Sequence, residues 1–281
     1  MANDLENRMK SYEKLNANRL MPRLPILVRL DGRAFHTYTK GLERPFSVRL
    51  HSCMVQTALH LSKEFHAAAV YTQSDEITLL FYTDNPLSEA LFGGKSDKIN
   101  SILAATASCV FNTWATKVLT EKQGLLPVFD GRCWNVPTKE EAANVFIWRE
   151  QDAVRNSILA AAQAKYSHKF LQGKKTNELQ DLLFVEHGIN WNNYPPAQKR
   201  GTYILPVTEK KVLTSDIIAK MRPEQREAYL EVGYTTRKVR QPVSLPILTK
   251  VANRVEVLFY GHTPITFDEL GAKSSRVHQA R

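Results

Sequence analysis

Two aspartates carry the first chemical argument. "VRLDGRAF" (28–35) places Asp31 at the end of a short apolar run, and "TQSDEITLLF" (72–81) places Asp75 just before another. Two carboxylates held close together repel, and a divalent cation removes that repulsion. Hard oxygen ligands suit Mg²⁺, which takes one or two carboxylates together with substrate phosphates and water. Such a pair can serve two ions in an in-line phosphoryl or nucleotidyl transfer. Gly32 lets the backbone approach a metal or triphosphate, and its carbonyl is a candidate ligand. Arg33, Lys40, Arg44, Lys95 and Lys98 are candidate phosphate clamps, although any one of them taken singly is more often a surface cation. Ser74 suits a hydrogen bond to phosphate or nucleoside, or the start of a turn. His36 suits a base or phosphate contact, or a structural role. Glu76 adjoins Asp75, and strand alternation would turn it to the opposite face, where it pairs a cation or positions the turn. No Walker A, G-x-G-x-x-G, G-x-S-x-G or H-E-x-x-H pattern is present, so nucleotide chemistry would rest on the carboxylate pair.

For Asp31 and Asp75 to meet, their strands must be neighbours. Residues 25–30 read as a strand. A helical stripe follows from Ser47, with Leu50, Met54, Ala58, Leu61 and Phe65 at spacings of three and four. Residues 67–71 and 76–82 read as two strands joined by a tight turn, and Ile99, Ile102, Leu103, Thr106 and Val110 mark a second long helix. "LLPVFDGRCWNV" (125–136) reads as a fourth strand. The order βαββαβ, over about residues 25–136, is the ferredoxin-like split βαβ of an α/β (α+β) fold, with the first and third strands adjacent and both helices on one face. Beyond it the chain turns helical. Thr138 and Glu141 form a capping box before a helix over 141–166, and residues 176–188 form another that ends at Gly188. A strand falls within 201–207, and "RPEQREAYLEV" (222–232) suits a short last helix. The second Asp-Gly-Arg (130–132) has no carboxylate partner at comparable spacing and reads as a bulge or turn in the fourth strand.

The chain has 38 Lys and Arg against 28 Asp and Glu, a formal charge of +10. An acidic polymer is a natural partner for such a chain, and "TTRKVRQ" (235–241) is a dense basic stretch without an acid. No apolar run reaches the ~20 residues of a membrane span, and the polar N-terminus has no apolar signal segment. Three scattered cysteines (Cys53, Cys109, Cys133) suit buried free thiols in a reducing, cytoplasmic compartment.

"VRLDGRAFHTYTKGLERPF" followed by "YTQSDEITLLF" resembles the tRNA-His guanylyltransferase family and its wider group of guanylyltransferase-like 3′–5′ polymerases. "FDGRCW", "WREQDAVRN", "GINWNN" and "KRGTYI" extend the likeness over most of the chain. The resemblance implies a polymerase-palm domain over residues 1–136, with a helical and basic C-terminal RNA-binding region over 137–281 packed on it. It implies that Asp31 and Asp75, with the Gly32 backbone, hold two Mg²⁺. It implies that Asp31, Gly32, Arg33, Ala34, Phe35, His36, Arg44, Ser74, Asp75 and Lys98 contact the nucleotide. ATP activates the RNA 5′ end, and an incoming GTP or other NTP is then joined to it. tRNA and nucleoside triphosphates are the implied partners, in a homotetramer away from membranes. Thr72 replaces a family glycine, and Ser47 replaces an aspartate found in some members and suits a helix cap. "VRNS" (154–157) stands where eukaryotic members have His-Ile-Asn-Asn, and Arg155 with Asn156 resembles the guanylyltransferase-like proteins instead. That implies templated repair of truncated tRNA 5′ ends rather than strict addition of one G to tRNA-His, with Arg155, Asn156, Arg237, Lys238 and Arg240 on the RNA. Competing readings are a nucleotidyl cyclase or forward polymerase on the same palm, and a non-catalytic RNA-binding module. The cyclase would need neither the basic strip nor the helices after residue 138, and the binding module would not keep both carboxylates.

Overall fold

The apolar runs become strands of one sheet in the computed structural model, which describes residues 2–15, 17–212, 214–222, 226 and 234–272. The strands are β1 (Ile26–Gly32), β2 (Ala69–Gln73), β3 (Glu76–Phe81), β4 (Phe129–Asn135), β5 (Thr202–Val212) and β6 (Tyr234–Val243). They lie in the order β4-β1-β3-β2-β5-β6, and each neighbouring pair is antiparallel. The first four carry the ferredoxin-like order, so β1 and β3 are neighbours. The helices are α1 (Ala2–Lys14), α2 (Phe35–Tyr38), α3 (Val48–Glu64), α4 (Ser96–Val118), α5 (Lys139–Gln163), α6 (His168–Leu171), α7 (Thr176–His187), α8 (Pro196–Arg200), α9 (Ser215–Ala219) and α10 (Arg254–Tyr260).

Both faces of the sheet are covered, which explains why its inner strands read as continuous apolar runs rather than alternating ones. On one face Val28, Leu30, Ile77 and Leu79 meet Met54 and Leu61 of α3 and Leu103 and Phe111 of α4. On the other, Leu27, Tyr71, Leu80 and Tyr203 meet Phe146 of α5 and Leu258 of α10. Each such fully buried side chain favours folding by about 1.5–3 kcal/mol. Ser47 caps α3, its hydroxyl accepting from the Leu50 amide at 3.3 Å. Thr138 caps α5 through the Glu141 amide at 3.1 Å, but the Glu141 carboxylate accepts from Asn144 instead, which leaves this half of the box. The buried stripe of α4 is Ile99, Leu103, Ala107 and Phe111.

Four features depart from the sequence reading. Beyond the expected strand at 201–207, β6 adds an outer strand to the sheet, and the basic stretch 235–241 lies within it. α1 and α10 have no counterpart among the expected elements. Cys109 is exposed and Cys133 half-exposed, so of the three thiols only Cys53 is buried. The second Asp-Gly-Arg is neither bulge nor turn: β1 and β4 pair without interruption from Ile26 opposite Asn135 to Gly32 opposite Phe129. The expected helix at 222–232 lies almost wholly outside the described residues. Among the described residues no helix is long and apolar enough to cross a membrane.

Gly131 owes its place to α4. A Cβ there would lie 3.0 Å from Leu30 Cδ2 and 3.1 Å from the Asn100 carbonyl oxygen. The helix backbone cannot swing aside as a flexible side chain can. Gly131→Ala is expected to cost ~1–3 kcal/mol through overpacking, read as a lower midpoint in urea unfolding. An unchanged midpoint would show that α4 has room to retreat.

Candidate active site

β1 delivers Asp31 to the edge of the β2–β3 turn. The Gly32 amide donates to the Asp75 carbonyl oxygen at 3.0 Å, tying the strand end to that turn. Gln73 pairs with Glu76, so Ser74 and Asp75 alone make the connection. Ser74 has φ 52° and Ala34 has φ 56°, left-handed values that are uncommon outside glycine. Two such residues flank the carboxylates, and strain of this kind, of order 1–3 kcal/mol each, gathers at functional sites. Gly32 is required sterically, since a Cβ would lie 2.3 Å from Phe35 Cδ2. Phe35 is 2% exposed and packs against Phe111 and Phe129 at centroid distances of 5.3 and 5.2 Å, so its ring anchors the loop from inside.

Glu76 departs from the alternation argument. Because Asp75 belongs to the turn, Glu76 stands directly opposite Asp31 in the ladder and shares its face. Arg149 of α5 neutralises it, with Nε and Nη2 donating to its two carboxylate oxygens at 2.6 and 2.7 Å. The same guanidinium reaches Asp152 at 3.0 Å, and Arg29 lies 3.9 Å from Glu76. Arg149 is 7% exposed.

Asp31 and Asp75 receive no such partner. Among the described residues neither forms an ion pair; the Ser74 hydroxyl donates to Asp75 at 2.9 Å. Burial above all, and the Asp31 charge in addition, push the Asp75 carboxyl above its usual range, while Ser74 and its own backbone amide pull it down. Burial likewise raises Glu76, and Arg149 opposes it. The fit to a hard divalent cation is therefore chemical: two carboxylates line one cleft, each within range of the other's charge, and neither has an ion-pair partner among the described residues. Among the described residues no group of three or more His, Cys, Asp and Glu side chains is poised to hold a metal. That suits an ion completed by substrate phosphates and water.

The pair opens into a cleft of about 930 Å³. Its walls include Arg29, Asp31, Ser74, Asp75 and Glu76 from the sheet and its turn, Phe46 before α3 and His51 in its first turn, and Arg149, Asp152, Asn156 and Gln163 along α5. His51 hydrogen-bonds Thr202 Oγ1 at 3.1 Å, and burial pushes its imidazole pKa down.

The structure thus brings Asp31, Ser74, Asp75 and Asn156 into one cleft. Other expected residues lie elsewhere. Gly32, Arg33 and Ala34 continue the strand end, with the Arg33 amide donating to Val128 at 2.9 Å. Arg33, His36, Arg44 and Lys98 are exposed and off the cleft walls, and Lys98 sits 5.3 Å over the Phe92 ring. Arg155 pairs with Asp152, Arg237 pairs with Glu209 at 3.2 Å, and Arg240 donates to the Ala67 carbonyl at 3.0 Å. Lys238 is exposed and, among the described residues, lacks such a partner. Arg149, Asp152 and Gln163 escape the sequence reading. Their signal is a row with Asn156 at intervals of three, four and seven, whole turns of the helix and the polar counterpart of an apolar stripe.

A ferredoxin-like palm whose first strand and central turn meet in two unpaired aspartates, above a nucleotide-sized cleft, defines a nucleotidyltransferase. The comparisons make the class specific. A family model described as tRNAHis guanylyltransferase (Thg1) matches residues 6–137. A bacterial tRNA(His) guanylyltransferase (Thg1)-like protein solved in complex with ATP is 34% identical, over 92% of this chain and 100% of that one, with a TM-score of 0.75. A bacterial Thg1-like structure in complex with GTP is 32% identical, over 92% and 99%, with a TM-score of 0.68. The tRNA(His) guanylyltransferase of Saccharomyces cerevisiae is 27% identical over 239 residues, 79% of this chain and 97% of that protein. The chain belongs to the tRNA(His) guanylyltransferase family, whose members are nucleotidyltransferases.

Two outcomes follow from the carboxylates. Asp75 has a raised folded pKa, so its charge penalises the folded, metal-free protein at neutral pH, and the penalty is absent below the unfolded pKa. Asp75→Asn should therefore raise the melting temperature of the metal-free protein at pH 7.5, and the gain should shrink as pH falls through the carboxylate range. A gain independent of pH would refute the assigned cause. Arg149→Met leaves the half-buried Glu76 with only Arg29, at 3.9 Å, and should cost ~3–5 kcal/mol in denaturant unfolding. A loss below 1 kcal/mol would show that Arg29 suffices.

Proposed function

We propose that the protein adds nucleotides in the 3′–5′ direction to the 5′ end of tRNA, guided by the opposing strand, and that its task is the repair of truncated 5′ ends. The observation that carries this reading is the juxtaposition of Asp31 and Asp75 in a cleft that Asn156 also lines. The family membership and the ATP- and GTP-bound relatives support it.

Asp31 and Asp75 are the catalytic residues, and with the Gly32 backbone they would hold two Mg²⁺. Bound there, Mg²⁺ would screen the phosphates and favour a nucleophilic 3′-hydroxyl. The chain's own part is positioning. Ser74 orients Asp75 through its hydroxyl. The cleft is large enough for a nucleoside triphosphate beside an RNA end. In the proposed sequence the RNA 5′-monophosphate attacks the α-phosphorus of ATP and releases pyrophosphate. The 3′-hydroxyl of an incoming NTP then attacks the activated 5′-phosphate and releases AMP, and pyrophosphate is removed from the new end. Asn156 faces the RNA from α5, while Arg33, His36, Arg44 and Lys98 would meet the triphosphate from the rim. A homotetramer and a cytoplasmic setting belong to the same proposal, the latter supported by three unpaired thiols.

Purified protein with Mg²⁺, ATP and all four NTPs should extend a 5′-labelled tRNA lacking its first nucleotide, with the templated base preferred. Asp31→Ala should abolish the extension with an unchanged circular dichroism spectrum. Failure to extend either that RNA or full-length tRNA-His would remove the polymerase reading. Extension of full-length tRNA-His alone would remove the repair assignment.

A further inference from the structure

α5 connects the carboxylates to a second, unassigned surface. Arg149, Asp152, Asn156, Ala160 and Gln163 all line the cleft from this one helix. From Arg149 to Gln163 the helix rises about 21 Å at ~1.5 Å per residue. At the ~3.4 Å rise of B-DNA that is roughly six base pairs, and an A-form RNA duplex, which rises less per pair, fits slightly more. Just past its end the chain turns through Lys165, Lys169, Lys174 and Lys175, and no acidic residue stands between Asp152 and Glu178. Lys165, Lys169 and Lys175 are exposed, and among the described residues none of the four lysines forms an ion pair. This contrasts with Arg155 and Arg237, each occupied by a carboxylate.

The loop is also held in shape. Leu171 is buried with Leu179 and Leu183 of α7. Tyr166 stacks on Phe170 at 5.0 Å and 21°, and Tyr166 Oη donates to Glu186 at 2.7 Å. Phe170 is 46% exposed and carries Lys174 Nζ 4.8 Å from its ring centre. An ammonium fixed against an aromatic face loses little freedom on binding. Cations without acidic partners, on an ordered scaffold at the end of the catalytic cleft, match a polyanion that runs out of that cleft.

We propose that the loop 165–175 binds backbone phosphates of the acceptor-stem duplex whose 5′ end lies at Asp31 and Asp75. The proposal rests on the tRNA reading of the active site and adds the place where the duplex is gripped and the length needed to reach it. An RNA with a stem much shorter than six pairs ends before the loop.

The test uses the full chain and two RNA hairpins that share the same 5′ end, with stems of seven and three base pairs. Fluorescence anisotropy gives Kd at several salt concentrations for the wild type and for a variant carrying Lys165→Ala, Lys169→Ala, Lys174→Ala and Lys175→Ala. The wild type should bind the longer stem at least tenfold tighter. The variant should lose that preference, and its log Kd against log salt slope on the longer stem should fall by up to about 3.6, at ~0.9 for each of four phosphates no longer neutralised. Binding to the three-pair stem should match the wild type. A variant that keeps the stem-length preference and the slope overturns the loop assignment, as does equal weakening on both stems, the mark of a general charge effect. If the wild type binds neither hairpin nor tRNA, the RNA reading of the active site falls and the loop assignment falls with it. Wild-type 5′ extension combined with a silent loop variant removes the loop assignment alone.

Discussion

The bidentate bond from Arg149 to Glu76 is the interaction on which the site depends. Three carboxylates, Asp31, Asp75 and Glu76, crowd one end of the sheet. Without a counter-charge, burial would drive protons onto them. A guanidinium of fixed geometry neutralises Glu76 and satisfies both of its oxygens. The remaining two stay acceptor-rich and unpaired, the state a divalent cation requires. The clamp holds because α5 is itself pinned to the sheet: Ala142, Ala143 and Phe146 bury against Leu27, Leu80 and Tyr203, within the two turns before Arg149. Packing thus sets the position of the charge, and the charge selects which carboxylates remain for chemistry.

The same helix shows how one element serves two layers of the molecule. Its N-terminal half is apolar and closes the sheet, and its C-terminal half is polar toward the cleft and apolar toward α7 through Ile158, Ala161 and Ala162. Glu150 illustrates the junction. It is buried, accepts from Tyr203 Oη at 3.0 Å and from the Leu248 amide at 3.1 Å, and so ties α5 to β5 and to the segment before α10. Burial pushes its carboxyl pKa up.

What can be read from the chain, and what cannot, follows from the range of the forces involved. The βαββαβ core is legible because burial on both faces writes long apolar runs and stripes at three and four. The meeting of Asp31 and Asp75 is legible because that topology leaves β1 and β3 adjacent. β6 is not, because an outer strand rich in Arg, Lys and Thr carries no apolar alternation. The partner of Glu76 is not, because it arrives from a helix 73 residues away and no local rule points to it. Strand alternation fails at Asp75 because a two-residue turn resets the phase. The second Asp-Gly-Arg misleads because glycine in a strand signals either a bulge or a close neighbour, and only the position of α4 distinguishes the two.

The two Asp-Gly-Arg copies lie on paired strands, with Asp31 opposite Asp130 and Arg29 opposite Arg132. A strand that shifts by one residue turns every side chain to the opposite face. Such a slip of β1 would turn Asp31 toward the α3–α4 layer and away from Asp75 and the cleft. Each of the two glycines also sits where the observed register leaves space for no side chain. Gly32 is the residue that fits beneath the Phe35 ring, and Gly131 the one that fits beneath the backbone of Asn100. The repeated tripeptide therefore places, on two paired strands, a glycine at each point where a neighbour leaves no room for a Cβ, and the register that satisfies both is the one that sets Asp31 opposite Glu76.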